Sequence, residues 1–272
     1  MIRSAGIDWN LCEVTVVKIE GSVALVTGSN RGIGLGFVKV LLECGASKVY
    51  ATAREAASLP EVVDLDPSRI TGFVLDIDDE GQRRSVAKQT ADTSLLINNA
   101  GIPGSENEDE RRFLRASSLE DARQVMETDC FSPIEMCRLY LPDMVKRGEG
   151  GVINILSIGA IFCLPSHASY CAAKGAQAIM TMGLRADLDG TGVDIAGVYT
   201  GGVRTRMSAR DIPTLLTPEE HARDVFDAFE AGERHIFAGL GAGEMRDTIL
   251  ADPGAFEQRQ IERFRNPEKA WD

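Results

Sequence analysis

Two titratable side chains, Tyr170 and Lys174, lie four residues apart in the segment SHASYCAAKG (166–175). On a helix this spacing places them on one face, one turn apart. A tyrosine hydroxyl titrates near pH ~10, and a nearby ammonium favours the phenolate and lowers that pKa. Such a hydroxyl can donate a proton to an oxygen or remove one from it. When the segment is taken alone, however, its many small residues favour a simpler explanation, a close helix–helix contact with a solvated lysine.

A glycine-rich turn follows the first apolar run of the chain. The run SVALVTG (22–28) leads into TGSNRGIG (27–34), where a helical pattern begins. Glycine permits a tight turn and a close backbone approach, and the N-terminus of a helix binds a pyrophosphate. The order strand, glycine turn, helix is the context that a dinucleotide site requires, although a glycine triplet alone is a weak signal.

These residues depend on an alternating series of strands and helices. The apolar runs are continuous, which is typical of strands buried on both faces of a parallel sheet. The series predicts one domain of the α/β class with a doubly wound parallel sheet. The predicted strands are 22–28, 47–53, 69–76, 93–101, 151–157, 192–201 and 233–239, and the predicted helices are 32–44, 79–91, 119–147, 166–189 and 217–231.

Composition argues against several classes of protein. The chain has 272 residues and a net charge of −12, whereas nucleic-acid binding requires a basic surface. No apolar run approaches the ~18 residues of a membrane span, and the N-terminus lacks a signal-peptide pattern. The six cysteines form no CxxC pair and only three histidines are present, so no metal site is predicted. We expect a cytoplasmic protein with reduced thiols.

Four motifs, in this order, resemble the short-chain dehydrogenase/reductase family: TGSNRGIG, NNAG (98–101), Ser157 and YCAAK (170–174). Ser157 precedes Tyr170 by thirteen positions, a separation similar to the family's. The resemblance extends over about residues 18–239. It implies an N-terminal arm (1–17), a Rossmann domain (18–240) and a C-terminal extension (241–272), in which we expect a short helix.

The resemblance also implies roles for individual residues. Tyr170 would be the general acid/base, Ser157 would hydrogen-bond the same substrate oxygen, and Lys174 would also reach the nicotinamide ribose. The residues implied in cofactor binding are Gly28, Ser29, Asn30, Arg31, Gly32, Ile33, Gly34, Arg54, Asp76, Ile77, Asn99, Ala100, Gly101, Tyr170, Lys174, Val203 and Thr205.

Arginine at the end of the second strand favours NADP(H) over NAD. An acidic residue there would bind the ribose 2′-hydroxyl of NAD, whereas an arginine accommodates the 2′-phosphate of NADP. The segment reads YATARE (50–55), with Arg54 first, and Arg31 in the glycine turn supplies a second cation. The alternative is that both arginines are ordinary solvated surface residues.

Two positions depart from the family pattern. Thr200 in YTGGVRT (199–205) occupies the place where proline is usual, and Asp129 in METDCFSP (126–133) occupies that of an asparagine. In the family this asparagine interrupts a helix, and its carbonyl holds a water that connects the lysine to solvent. Asp129 is therefore included among the candidate catalytic residues. Its carboxylate either pairs with Lys174, drawing it away from Tyr170, or binds a neighbouring backbone N–H without contact with the lysine.

The leading interpretation is an NADPH-dependent oxidoreductase that interconverts a ketone or aldehyde and an alcohol by hydride transfer. The alternatives are an NAD-dependent alcohol dehydrogenase and a non-catalytic nucleotide sensor that binds a protein partner. The long helices around 119–147 and 166–189 resemble those of the family's subunit contacts, so we expect a homodimer or homotetramer. The sequence does not identify the substrate beyond a small-molecule carbonyl or alcohol.

Overall fold

Seven parallel strands form a single sheet in the computed structural model, which describes residues 17–206 and 214–266. The order is β3-β2-β1-β4-β5-β6-β7. Strands are therefore added from β1 to β3 towards one edge of the sheet and from β4 to β7 towards the other, and the order reverses between β1 and β4. The predicted doubly wound sheet in one domain is confirmed. The strands are β1 (Val23–Val26), β2 (Lys48–Ala53), β3 (Ile70–Val74), β4 (Leu95–Asn98), β5 (Gly150–Ile155), β6 (Val193–Thr200) and β7 (His235–Ala238).

Helices cover both faces of this sheet. They are α1 (Gly32–Glu43), α2 (Pro60–Val63), α3 (Glu80–Gln89), α4 (Glu120–Met126), α5 (Ser132–Arg147), α6 (Ala168–Asp187), α7 (Pro218–Glu230), α8 (Ala242–Ala251) and α9 (Pro253–Arg265). None of these helices of the described chain has the length and apolar content needed to cross a membrane.

Two core layers explain why the strand sequences are continuously apolar. Along β1, Ala24 and Val26 belong to the layer under α1 and α7, while Leu25 belongs to the layer under α3 and α5. All three side chains are fully buried. Because successive side chains of a strand point to opposite faces, a strand covered on both sides needs apolar residues at every position.

The predicted helix 119–147 is interrupted. Between α4 and α5 the backbone makes a π-helical turn over Glu127–Phe131, with Asp129 at its centre. Such turns are rare and often lie at functional sites. The interruption that the family resemblance implied is therefore present in this chain.

The C-terminal segment differs from expectation. It contains two helices, α8 and α9, instead of one short helix. Phe256 of α9 packs against Phe162, with ring centroids 5.1 Å apart, and the Arg112 guanidinium lies 4.3 Å from the ring centroid of Phe264. The extension thus covers the loop before α6. The predicted N-terminal arm lies almost wholly outside the described residues, and the domain boundaries stay predictions.

Candidate active site

Hydrogen bonds from Ser29 and Asn99 fix the glycine turn to the carboxyl ends of β2 and β4. Ser29 N–H donates to the Thr52 carbonyl (2.8 Å), and Thr52 N–H donates to Ser29 Oγ (2.8 Å). On the other side, Asn99 Nδ2 donates to the carbonyls of Thr27 (2.9 Å) and Gly28 (3.0 Å). The turn therefore lies across the point at which the strand order reverses, where open α/β sheets bind ligands.

Two glycines of the turn are required by close approaches. Gly28 has φ +62°, a conformation that favours glycine. A Cβ on Gly34 would lie 2.3 Å from the Gly28 carbonyl oxygen and 2.6 Å from Asn99 Nδ2. The predicted turn residues are therefore packed closely together, and α1 begins within this turn.

The N-terminus of α1 is suited to bind an anion. Its first turn contains no acidic residue, and Arg31 at the N-cap supplies no side-chain hydrogen bond to the helix. The first N–H groups of a helix lack internal partners and carry a partial positive charge. The predicted pyrophosphate site therefore has the donors and the charge that it needs.

Arg31 and Arg54 are two exposed cations on the same edge of the sheet. Arg31 lies two residues after Ser29, and Arg54 lies two residues after Thr52. Because Ser29 and Thr52 are hydrogen-bonded to each other, both arginine side chains can reach the same region. Within the described ranges, neither guanidinium has an ion pair or a hydrogen bond to another residue. Two cations placed in this way suit a doubly charged anion.

Thr205 lies over the glycine turn from the opposite side. A Cβ on Gly32 would be 3.6 Å from Thr205 Cγ2, and the neighbouring Val203 is buried. Up to residue 206, the segment after β6 therefore lies against the glycine turn; its contact with a nucleotide stays a prediction. Residues 207–213 lie outside the described residues.

Asp76 and Ile77, for which the resemblance implies contact with the cofactor, follow β3, but the Ile77 side chain is buried in the core. Its carbonyl accepts a hydrogen bond from Arg83 Nη1 (2.5 Å). The Asp76 carboxylate accepts from the Asp78 N–H (3.1 Å) within its own turn. Asn30, Ile33, Ala100 and Gly101 all lie in the glycine turn, α1 or the loop after β4, around the same edge.

Ser157 and Tyr170 lie side by side beyond the end of β5. Ser157 caps the 3₁₀ turn Ile158–Ala160 by accepting a hydrogen bond from the Gly159 N–H (3.1 Å). Tyr170 is in the first turn of α6, close enough to Ser157 for the serine hydroxyl to act on the pKa of its phenol. Two hydroxyl groups are thereby brought together, as a substrate oxygen held by both would require.

The pKa of Tyr170 is raised, which is opposite to the expectation from its spacing to Lys174. Burial is the largest cause and the charge of Asp129 adds to it, whereas the Ser157 hydrogen bond acts in the other direction. Lys174 Nζ lies 5.9 Å from the centroid of the tyrosine ring. The predicted lowering is therefore wrong for this structure, and Tyr170 keeps its proton at neutral pH.

Lys174 is held by groups other than Tyr170. Its buried Nζ donates to the Ile155 carbonyl (3.0 Å) and to Gln177 Oε1 (3.3 Å), and it lies 3.3 Å from Asp129 Oδ2. This last contact is an ion pair without the alignment of a hydrogen bond. Burial raises the pKa of Asp129, and the charge of Lys174 opposes that rise.

Asp129 pairs with Lys174 and also binds a backbone N–H, so the alternative in which it makes no contact with the lysine is wrong. While Oδ2 faces Lys174, Oδ1 accepts a hydrogen bond from the Ile102 N–H (2.7 Å). A Cβ on Gly101 would lie 3.0 Å from Oδ2, so only glycine leaves this space beside the carboxylate. Asp129 therefore connects the loop after β4 with the lysine of α6.

Sequence reasoning missed Asp78, which anchors the π-helical turn to the end of β3. Its Oδ2 accepts from Thr128 Oγ1 (2.7 Å) and Gln124 Nε2 (2.7 Å), and its Oδ1 accepts from Ser132 Oγ (3.0 Å). These partners lie more than 40 residues away in sequence. No local pattern distinguishes Asp78 from the acidic residues beside it.

A buried polar chain behind the site was also missed. Asn98 Nδ2 donates to Asn154 Oδ1 (2.8 Å), and Asn154 Nδ2 donates to Thr181 Oγ1 (2.9 Å). These bonds connect β4, β5 and α6, the elements that position the NNAG loop, Ser157 and Lys174. A polar residue within the buried run GVINILS (151–157) was the available signal, because a buried amide needs partners.

Thr200 replaces the rigidity of a proline with a hydrogen bond. Its hydroxyl lies 3.3 Å from Nε2 of His221 in α7. Burial lowers the pKa of His221 to about 4, so the ring is neutral near pH 7 and Nε2 can accept from the threonine. The start of the loop that carries Val203 and Thr205 is thus tied to α7.

The sheet order, the glycine turn and the Ser–Tyr–Lys cluster are those of nucleotide-dependent oxidoreductases. The model of the short chain dehydrogenases matches residues 22–215, and the protein belongs to that family. Among the residues described, no group of three or more His, Cys, Asp or Glu side chains could hold a metal ion.

Known proteins similar to this chain differ in their substrates. A short chain dehydrogenase from Burkholderia cenocepacia, solved in complex with NADP, is 36% identical, with a TM-score of 0.81 over 90% of this chain and 99% of that one. Galactitol 2-dehydrogenase from Cereibacter sphaeroides is 33% identical over 212 residues, 74% of this chain and 80% of that protein. Fatty acyl-CoA reductase from Acinetobacter baylyi is 30% identical over 238 residues, which cover 82% of this chain and 78% of that protein.

Proposed function

We propose that the protein is an NADPH-dependent oxidoreductase that interconverts a ketone or aldehyde and an alcohol. The observation that carries the proposal is the convergence of Ser157, Tyr170 and Lys174 beyond the end of β5, next to the glycine turn. Two neighbouring hydroxyl groups, with a cation behind them, suit an oxygen that gains or loses a proton.

The preference for NADPH rests on Arg31 and Arg54. Both are exposed, and no carboxylate among the described residues neutralises either one. An NAD-dependent enzyme needs an acceptor for the ribose 2′-hydroxyl at this place. The NADP complex of the Burkholderia relative supports the same preference.

Bound NADPH supplies the hydride, and the chain supplies everything else. The N-terminus of α1 and the glycine turn would bind the pyrophosphate, and Arg31 and Arg54 would bind the 2′-phosphate. Ser157 and Tyr170 would donate hydrogen bonds to the substrate carbonyl oxygen, and Tyr170 would then give its proton to that oxygen. Lys174 would orient the ribose and supply positive charge behind the tyrosine.

A protonated Tyr170 suits the role of proton donor in carbonyl reduction. The raised pKa of Tyr170 keeps its hydroxyl protonated, which is the state required to donate to a developing alkoxide. Alcohol oxidation would require the phenolate, which burial and Asp129 both disfavour.

The test is a panel of ketones, aldehydes, sugars, acyl thioesters and secondary alcohols assayed with NADPH or NADH, and with the oxidised cofactors for the alcohols. We expect turnover of a carbonyl with NADPH at a kcat/KM at least tenfold above that with NADH. Equal efficiency with NADH would favour the NAD-dependent alternative. Tight NADPH binding without turnover of any compound would favour the non-catalytic sensor.

A homodimer or homotetramer is part of the proposal. Leu119, Phe131, Ile179 and Met182 leave large apolar side chains exposed on α6 and along the interrupted helix that contains Asp129. Such residues on long helices suit burial against a second copy of the chain. Light scattering at micromolar concentration should therefore give two or four times the monomer mass.

We also propose the cytoplasm as the location, because the five described cysteines are free thiols.

A further inference from the structure

Two cysteines lie next to each other beside the catalytic tyrosine. Cys171 follows Tyr170 in α6 and is buried, whereas Cys163 is exposed in the loop before this helix. The Leu164 N–H donates a hydrogen bond to Cys171 Sγ (3.3 Å). The function proposed above gives neither thiol a role.

This hydrogen bond brings the two cysteines within range of a disulfide. The Leu164 nitrogen is bonded to the carbonyl carbon of Cys163, so the Cys163 Cα lies within about 6 Å of Cys171 Sγ. Each thiol also shifts the pKa of the other, so the two side chains are close neighbours. Rotation of the exposed Cys163 side chain can therefore bring the sulfurs together with little movement of the backbone.

The two thiols differ in chemical character. The hydrogen bond from Cys171 lowers the pKa of Cys163 to about 7, while the same bond and burial raise the pKa of Cys171. Burial raises the pKa of the other described thiols, including the exposed Cys44. Among the described cysteines, Cys163 alone combines exposure with a lowered pKa, the combination that makes a thiol reactive.

We propose that Cys163 and Cys171 form a peroxide-reactive thiol pair whose oxidation to a disulfide switches off the active site. The Cys163 thiolate attacks a peroxide oxygen, so that an S–O bond forms, the O–O bond breaks and one water leaves after protonation. The Cys171 sulfur then attacks Cys163, the S–S bond forms, the S–O bond breaks, and a second water carries away the proton of Cys171. The pair loses two electrons, which reduce the peroxide.

The disulfide would alter the position of Tyr170 relative to Ser157. Cys171 Sγ now packs against the 3₁₀ turn capped by Ser157, because a Cβ on Gly159 would lie 3.0 Å from this sulfur. Bonding to Cys163 draws the sulfur away from that turn and removes the hydrogen bond from Leu164. Even a small shift of Cys171 passes to the adjacent Tyr170, whose hydroxyl must meet the same substrate oxygen as Ser157. Only this effect on turnover rests on the proposed function; the thiol chemistry does not.

The experiment treats the full-length protein with hydrogen peroxide, blocks the remaining thiols with iodoacetamide and digests it with trypsin. The peptide 148–174, bounded by Arg147 and Lys174, contains both cysteines and no other. We expect this peptide to carry no alkyl group and to be lighter by two hydrogen atoms than the peptide with two free thiols. Cys44 should be alkylated by the iodoacetamide. Carbonyl turnover should fall at least fivefold in parallel, and dithiothreitol should reverse both changes.

Matched variants separate the two thiols. The Cys163→Ser variant should turn over its substrate at nearly the same rate with and without peroxide treatment. Cys171→Ser should stop the reaction at a sulfenic acid on Cys163, which dimedone would trap. Cys44→Ser, which removes an exposed thiol elsewhere, should respond to peroxide like the wild type.

Three outcomes would overturn the proposal. In the first, both cysteines of 148–174 are alkylated at a peroxide concentration that oxidises Cys44. In the second, Cys163→Ser and the wild type are equally sensitive to peroxide. In the third, the disulfide forms and turnover is unchanged. Because the mass measurement needs no substrate, absence of turnover in untreated protein would count against the proposed function and leave the disulfide open to measurement.

Discussion

The nucleotide side and the substrate side of this molecule are held together in different ways. Around the glycine turn, Ser29 and Asn99 bind backbone carbonyls at the ends of neighbouring strands, so the geometry depends on a few short contacts within the sheet edge. On the side that we propose for the substrate, formed by the loop before α6 and the C-terminal helices, segments far apart in sequence meet through side chains, as in Phe162 with Phe256 and Arg112 with Phe264. We expect the first arrangement to hold the cofactor, and the second to vary while the cofactor site stays the same.

The catalytic cluster lies between these two sides. Ser157 and Lys174 are fixed by β5, since one lies just beyond its end and the other donates to its last carbonyl. Asp129 joins the cluster from the π-helical turn and changes its charge. The comparison therefore predicts that chemistry, cofactor choice and substrate affinity respond to different substitutions.

The largest effect should come from Tyr170→Phe, which keeps the ring and removes the transferable proton. We expect kcat to fall by about 10²–10⁴-fold, the range of general acid catalysis. Steady-state turnover with NADPH and the best carbonyl of the panel measures this loss. The matched control is Tyr50→Phe, whose hydroxyl binds Asp92 away from the site, and it should stay near wild type. Retention of most activity by Tyr170→Phe would remove this tyrosine from the mechanism.

Arg54→Ala should separate NADPH from NADH. The charged hydrogen bond that it removes is worth about 1.5–3 kcal/mol, or roughly 10–150-fold in NADPH affinity, with little change for NADH. Calorimetric titration with each cofactor measures both affinities. Arg223→Ala is the control, because Arg223 pairs with Glu43 at the far end of α1, about 18 Å along the helix. Equal losses for the two cofactors would make NAD the natural partner.

Phe256→Ala should act on the substrate side alone. Loss of the buried ring removes the contact with Phe162, and in cores such changes cost about 3–5 kcal/mol locally. We expect KM for the carbonyl to rise by about tenfold while the Kd of NADPH is unchanged. Leu250→Ala, at an exposed residue of α8, is the control. A parallel loss of NADPH affinity would mean that the two sides are not independent.

Thr200→Val should have a smaller effect, confined to stability. It removes the hydrogen bond to the buried His221 and preserves the shape of the side chain. We expect the free energy of unfolding to fall by about 1–3 kcal/mol, measured by urea denaturation at pH 7. Serine at the same position keeps the hydroxyl and should recover most of the loss. A neutral effect of valine would show that this bond does not stabilise the start of the cofactor loop.

The sequence predicted the nucleotide side far better than the substrate side, and the reason is the range of the interactions. Glycine turns, strand ends and the Tyr–Lys spacing are local patterns, and the structure brings them together as expected. The contacts of Asp78 with Ser132 and of Phe162 with Phe256 join residues distant in sequence, so no local pattern encodes them. The sign of the Tyr170 pKa shift was wrong because it depends on burial and on Asp129, which spacing to Lys174 does not reveal.

The central claim is that Asp129 pairs with Lys174 and raises the pKa of Tyr170, the proposed general acid. Asp129→Asn tests it most directly, because asparagine keeps an acceptor for the Ile102 N–H and removes the charge. The measurement is kcat for carbonyl reduction against pH, with saturating NADPH, for wild type and variant. Since the charge of Asp129 raises the pKa of Tyr170, its removal should move the high-pH limb to lower pH. The maximal rate should change by less than about tenfold, or 1.4 kcal/mol. An unmoved limb, or a hundredfold loss of rate in a folded variant that still binds NADPH, would contradict the account.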